Sequence, residues 1–454
     1  MATTAIELND AGILAVRDGT TLLESPGIAL FDGGTVLTGT QASARARVKP
    51  GAVANRFWDG LSLDSPSVPA GSSHNHADLA YLHLDAIRRE IDGDQDDYVL
   101  CVPGSFTRQQ LGLLLGITRE CKMNVVGLVD SAVAAASQAG ASGRVLHLDA
   151  QLHRIVLTEL ESGQSLARVG LHEINRFGLL NLRETWADTI ADAFVSNTRF
   201  DPMHMAASEQ QLYDKLPDWL NELHDNPQAP IALGTDKSTH TVSVAPERLA
   251  RASADYYQQI VQLINGRTRP GDRITLLLSH RLAAFPGLKD QLAQLGDEPP
   301  TEQDAGESAR GALAHLSYLR SSGDALSFVT SLPLSRSRAT LNAPTGASPA
   351  PRGTPPTHIV YGSRIYRIGN SPLVVGASVP DDENGFTVRS PAPGVSRRHF
   401  ALQADGDGVL LTDSSTYGTF VNGAQVEEKM YVKAGDAVTI GSPAQSLALV
   451  AEVK

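Results

Sequence analysis

Between Val395 and Gly423 the chain reads VSRRHF, then a short apolar run, then DSSTYGTFVNG. Two polar loops, rich in hydroxyl, Gly and Asn side chains, flank what reads as one strand. Gly418, Asn422 and Gly423 tolerate the φ values that tight turns demand.

The surroundings of this stretch read as all-β. Short strand-like runs separated by turns occupy Arg364–Ile368, Leu373–Val375, Phe400–Leu402, Val409–Leu411, Thr419–Val421, Ala437–Ile440 and Leu447–Val450. That spacing predicts an antiparallel sandwich over residues 358–454. Ahead of it, Pro333–Thr357 is dominated by Pro, Ser, Thr, Ala and Gly. Such a segment buries too little to offset its ordering entropy, and its prolines keep it extended. It reads as a linker, and its Ser and Thr residues, Thr340 and Thr345 among them, are candidate kinase targets.

Residues 1–332 alternate strands with helices. The buried-type run Tyr98–Val102 precedes a helix over Thr107–Lys122, and the strand Val125–Val129 precedes a helix over Ser131–Ala139. Strands follow at Val145–Leu148 and Ile155–Leu160, and helical patterns over Pro246–Asn265 and Gly287–Leu295 flank the strand Ile274–Leu278. The alternation predicts an α/β unit.

Charge excludes one class of partner. The net charge is −12: residues 1–332 carry 27 Lys and Arg against 40 Asp and Glu, residues 333–357 carry +3, and residues 358–454 carry 8 basic and 10 acidic residues. No basic face is visible, so nucleic acid is not an expected partner. No apolar run approaches the roughly 18 residues of a membrane span, so no membrane insertion is expected. MATTAIELND shows no signal peptide. Cys101 and Cys121 read as buried, reduced thiols of a cytoplasmic protein. His74, His76 and His83 lack an accompanying Cys, and no metal site is expected.

The two loops resemble the forkhead-associated (FHA) domain, a β-sandwich that reads phosphothreonine. Ser396 and His399 match its Ser-x-x-His, and Ser415, Thr416, Gly418, Asn422 and Gly423 match its second loop. The resemblance implies that Ser396 donates to the phosphate, with Thr416, or Ser415 with it, donating from the second loop. Arg397 or Arg398 adds charge, Tyr417 stands where many members grip the peptide with Asn, and His399, Gly418, Asn422 and Gly423 shape the loops. The family's first strand usually ends in Gly-Arg; here it is Gly376-Ala377, so one phosphate-contacting Arg is missing.

Over about residues 1–332 a collinear series resembles the nucleotide-binding domain of DnaK-type heat-shock chaperones. VLCVPGSFTRQQL, NVVGLVDSAVAAASQAG and ITLLLSHRLAAFPGLKDQL carry the likeness. It implies an α/β actin-like (ribonuclease H-like) two-lobed body. The phosphate-binding positions depart from the family. The first loop holds Glu7, Asn9 and Asp10, the second has Asp149 or His147 at its acid position and no Gly, the adenosine loop is Ser279-His280-Arg281, and the water-positioning Glu falls at Ser131. Only Gly lets backbone N–H groups approach phosphate so closely.

These readings predict a cytosolic, bacterial, non-catalytic scaffold: a pseudo-ATPase body without cofactor or ATP docks one protein, and an FHA domain binds a phosphothreonine-containing partner. The alternatives are an active chaperone or actin-like ATPase, and a structural subunit in which both modules dock independently of phosphate.

Overall fold

The computed structural model describes residues 2–66, 74–91, 97–140, 143–163, 165–234, 238–268, 273–295, 298–320, 326–334, 355–361, 364–380, 383–388, 394–406, 408–422, 424–426, 428–441 and 445–451. Gly423 and the candidate kinase targets of the linker lie outside them. The chain divides into two compact units, Met1–Ser335 and Arg336–Lys454.

The first unit is mixed α/β and is built on two six-stranded sheets that share the connectivity of five strands and differ in where the sixth joins. In the first, Thr3–Glu7, Ile13–Arg17 and Thr20–Ser25 form an antiparallel meander. Asp97–Val102 then pairs in parallel with Thr3–Glu7, and Asn124–Asp130 in parallel with Asp97–Val102. In the second, Gly143–Ala150, Arg154–Ser162 and Ser165–Asn175 form the meander. Ile274–Leu278 pairs in parallel with Gly143–Ala150, and Thr301–Glu302 in parallel with Ile274–Leu278. Asn124–Asp130 leads into the helix Ser131–Ala136, and Thr301–Glu302 is followed by the helix Glu307–Ala314. These helices touch backbone to backbone: a Cβ on Gly311 would lie 2.0 Å from Ala134 O, which leaves room only for Gly.

Local chemistry accounts for the crossover helices. Thr107 caps Arg108–Glu120, its hydroxyl accepting from Gln110 N while the Gln110 side chain accepts from Thr107 N. Asn75 and Asp78 form the same box at the start of His76–Glu90. Asn75 is thus a cap, and His83 is buried between Ser25 Oγ at 2.8 Å and Trp58 Nε1 at 3.0 Å. Among the described residues no group of His, Cys, Asp and Glu could hold a metal ion, and no helix is long and apolar enough to cross a membrane. Cys101 and Cys121 are free and buried.

Three boundaries differ from expectation. Pro246–Asn265 resolves into Pro246–Ala252 and Ala254–Asn265, broken at the fully buried Ser253. The helix over Gly287–Leu295 shortens to Leu288–Leu292. The linker is narrower than Pro333–Thr357. Ser331–Pro333 adds to the second sheet with Pro333 opposite Ser165, anchored by the buried Leu332, and Pro suits such an edge because it has no N–H to pair. At the other end Thr357 N donates to Val450 O at 2.9 Å, and His358–Tyr361 is a strand.

The second unit is all-β. One sheet runs Arg364–Arg367, His358–Tyr361, Gln445–Val450, Ala437–Ile440, Phe420–Val421, Ala424–Gln425. The other runs Gly385–Thr387, Leu373–Gly376, Phe400–Asp405, Gly408–Asp413, Lys429–Val432. Pairings are antiparallel except between Leu373–Gly376 and Gly385–Thr387. Val375, Phe400, Leu402 and Leu411 of one sheet pack in one core with Ile359, Val438, Leu447 and Leu449 of the other.

Candidate functional site

In the five-stranded sheet Val375 faces Phe400, and Phe400 faces Asp413. Gly376, His399 and Ser414 therefore leave their strands at the same end. The register alone brings the Val395–His399 and Ser414–Thr419 loops together.

Gly376 is required by that crowding. A Cβ there would sit 2.0 Å from Arg397 O, because the Ser396–Arg397 backbone crosses directly over it. Ala377 N donates to Ser396 O at 2.9 Å and Ser378 N to Arg397 O at 3.1 Å. At Ala377 the chain offers the Val395–His399 loop a backbone tether rather than a guanidinium.

His399 is fully buried and ties both loops. Its Nδ1 accepts from Ser396 N at 2.9 Å, which leaves the proton on Nε2 to donate to Gly418 O at 3.2 Å. Burial lowers the imidazole pKa, against the Gly418 hydrogen bond and the Asp413 charge. Neutral His399 is the form that satisfies both contacts.

Ser396 Oγ accepts from Thr416 N at 3.1 Å, and a hydroxyl with one acceptor site used retains its proton for an incoming oxyanion. Thr416 and Tyr417 are exposed beside it. Ser415 is committed elsewhere: its Oγ accepts from Gly418 N at 2.8 Å and so closes the turn. The two arginines separate as well. Arg398 pairs with Glu383 at 2.6 Å, whereas the Arg397 side chain is exposed and has no hydrogen-bond or ion-pair partner among the described residues.

Asp413 is an organiser that the sequence reading missed. Its carboxylate accepts from Ser415 N at 3.0 Å, Thr419 N at 3.2 Å and Thr419 Oγ1 at 2.7 Å. Burial works to raise its pKa, but these bonds outweigh it and hold the carboxyl below its ordinary range. The Asp-Ser-Ser sequence, with an Asx-type acceptor ahead of two loop residues, was the available signal. Asn422 takes φ +50° and bridges to Asp436 Oδ1 at 2.7 Å, fixing the end of the second loop.

In the first unit, Glu7, Asn9, Asp10, Asp149, Ser279 and His280 gather where Thr3–Glu7, Gly143–Ala150 and Ile274–Leu278 end; Ser131 instead starts its own helix behind Asp130. Asn9 Nδ2 donates to Asp149 Oδ2 at 2.9 Å and to Ala150 O at 3.1 Å. Asp10 Oδ1 accepts from Leu152 N at 2.7 Å, and burial pushes its pKa up to about 6. Arg281, read in the sequence only as the last residue of the altered adenosine loop, enters from the third strand's end. It reaches Glu7 at 2.8 Å, Gly12 O at 2.7 Å and Asp149 at 3.7 Å. His147 lies apart, bonded to Gln303 at 2.9 Å. Among the described residues Asp10 Oδ2, Ser279 Oγ and His280 Nε2 have no hydrogen-bond partner. Burial lowers the His280 pKa to about 3, so that ring is neutral.

No curated protein matches the chain. The family model described as the FHA domain matches residues 366–441, which span the two loops and the strands that carry them. The second unit thus contains an FHA domain, a phosphopeptide-binding protein-interaction module whose partner carries phosphothreonine.

Proposed function

We propose that this chain is a non-catalytic adaptor in which the FHA domain takes a phosphothreonine-bearing protein and the first unit, a degenerate actin-like body, docks a second protein. The observation that carries the phosphopeptide half is the Ser396–Thr416 contact, which joins the two loops beside the exposed Arg397. Arg397 then supplies the charge that the family places at the position of Ala377.

The repeated connectivity of the two sheets supports an actin-like, ribonuclease H-like body, as does the close crossing of the two following helices at Gly311. A nucleotide triphosphate with its metal, which that fold family implies, does not fit the residues present. Asn9–Asp149 and Glu7–Arg281–Asp149 close the two hairpins on one another through side chains. Asp10 and Asp149 add negative charge where phosphate oxygens would need donors. Phosphoryl transfer depends on positioning and electrostatics, and both are altered here. The body therefore works as a docking surface and not as a motor.

Two measurements on the full chain test the reading. A fluorescent phosphothreonine peptide should bind in anisotropy, and its unphosphorylated form should not. ATP with magnesium should neither be hydrolysed nor raise the melting temperature. Equal binding of both peptides would sink the first half, and turnover lost in Asp149→Asn would sink the second.

A further inference from the structure

The first unit contains a cavity of about 560 Å³ between the Ile28–Asn55 stretch and the helices Leu179–Thr198 and Ala206–Asp225. Arg183, in the first of these helices, lines it together with Arg47, Asn55, Glu184, Tyr213 and Asp214. The charges differ in how far they are committed. The Arg47 guanidinium lies 3.5 Å from the centre of the Tyr213 ring, with Glu209 at 3.6 Å and Glu184 at 3.9 Å. Asp214 accepts from Gln210 at 2.7 Å. Arg183 has no hydrogen bond or ion pair with any described residue.

Arg183 is half-buried, and an anion brought to a guanidinium without a counter-charge among the described residues gains charge-assisted hydrogen bonds. The environment agrees: burial lowers the Arg183 pKa, Glu24 opposes this and Arg281 adds to it. The cavity falls within the roughly 300–1,000 Å³ of small-molecule sites, too confined for a folded partner.

We propose that this cavity binds a small organic anion whose phosphate or carboxylate pairs with Arg183 and whose hydroxyl or amino groups donate to Glu184 and Asp214. The site is separate from the FHA loops and does not depend on the adaptor reading. It shares no residue with the Glu7–Arg281 cluster.

All three tryptophans, Trp58, Trp186 and Trp219, belong to the first unit, so indole emission reports this unit alone in the intact chain. Glycerol phosphate and glycerate are the phosphate and carboxylate probes, with glycerol as the neutral control. At least one anion should change the emission saturably in the wild type and in Ser396→Ala, and glycerol should not. Arg183→Gln should weaken that response about tenfold or more, the scale of one charge-assisted contact. Without probe, Arg183→Gln should melt no lower than the wild type, because it removes an unpartnered charge. Four results would each overturn the proposal: no response to either anion, an equal response in Arg183→Gln, a response to glycerol, or a lower melting temperature that marks Arg183 as structural. A response to ATP where both small anions give none would overturn this proposal and the pseudo-ATPase reading together.

Discussion

Ser396 and Thr416 are twenty residues apart in sequence, yet Ser396 Oγ accepts from Thr416 N at 3.1 Å, so that each loop of the FHA domain holds the other in place. The contact stands on three supports. His399 fixes the Ser396 backbone, Asp413 gathers the Ser415 and Thr419 amides, and Gly376 lets the first loop cross the sheet end. A Ser396 hydroxyl held in this way needs little rearrangement to meet a ligand oxygen, and such preorganisation lowers the entropic cost of binding.

Ser396→Ala should weaken a phosphothreonine peptide roughly ten- to a hundredfold, the scale of a hydrogen bond to a charged group. Binding of the unphosphorylated peptide should not change. Anisotropy titrations with both peptides read this directly, and an unaltered affinity for the phosphorylated form would remove Ser396 from the site.

Arg397→Ala and Arg398→Ala should separate. Arg397 is unpartnered among the described residues, and its loss should cost about tenfold in affinity with a shallower salt dependence. Arg398 is exposed and already neutralised by Glu383, so its loss should fall within about twofold. The reverse order would mean that the Glu383 pair opens on binding.

His399 gives the FHA loops a pH limit. Its folded pKa lies below the ordinary 6.5. As pH falls through 6.5 the unfolded state takes up the proton first, so the contribution of neutral His399 is complete above that value and declines below it. Hydrogen exchange at the Ser396 amide, corrected for its intrinsic rate, should lose protection below pH 6.5 before core amides such as Leu402 do. Uniform protection across the unit would sink the assignment.

How legible each part was follows from how local its signal is. The FHA loops were legible because their residues lie within thirty positions and the turns name themselves through Gly and Asn. The strands Gly385–Thr387 and Lys429–Val432 were missed because they are short and half exposed, so neither carries an apolar alternation. Pro333 was assigned to the Pro-rich stretch although it closes the strand Ser331–Pro333 opposite Ser165. The pairing of Arg281 with Glu7 was invisible because the two lie 274 positions apart. A buried ion pair leaves no periodicity in a sequence; only the sheet register brings its two halves together.

Asp10 supplies a second pH signature, of opposite sign to that of His399. Its pKa is about 6 when folded against an ordinary 3.8, so the folded state holds the proton more tightly and is penalised above pH 6. Asp10→Asn keeps the acceptor for Leu152 N and removes the penalty. It should stabilise the first unit by about 2–3 kcal/mol at neutral pH, and the gain should fade as pH drops from 6 to 3.8. A gain independent of pH would mean that Asp10 is not the titrating group.

Arg281→Ala tests the cluster itself. Arg281 and Glu7 are both buried, and their side chains meet at 2.8 Å. Removing the guanidinium leaves Glu7 without its counter-charge and frees Gly12 O, a loss on the order of 3–5 kcal/mol for a buried pair. The tryptophan-monitored melt should fall by several degrees while the phosphopeptide affinity of the FHA domain stays the same. Glu7→Gln combined with Arg281→Met removes both charges at once, and much of the loss should return, because the penalty comes from the unpaired carboxylate more than from the missing attraction. If the single variant melts like the wild type, the Glu7–Arg281 bridge does not hold the two sheets together. If the double variant is no better than the single one, the Gly12 contact and packing of the Arg281 stem carry the stability instead.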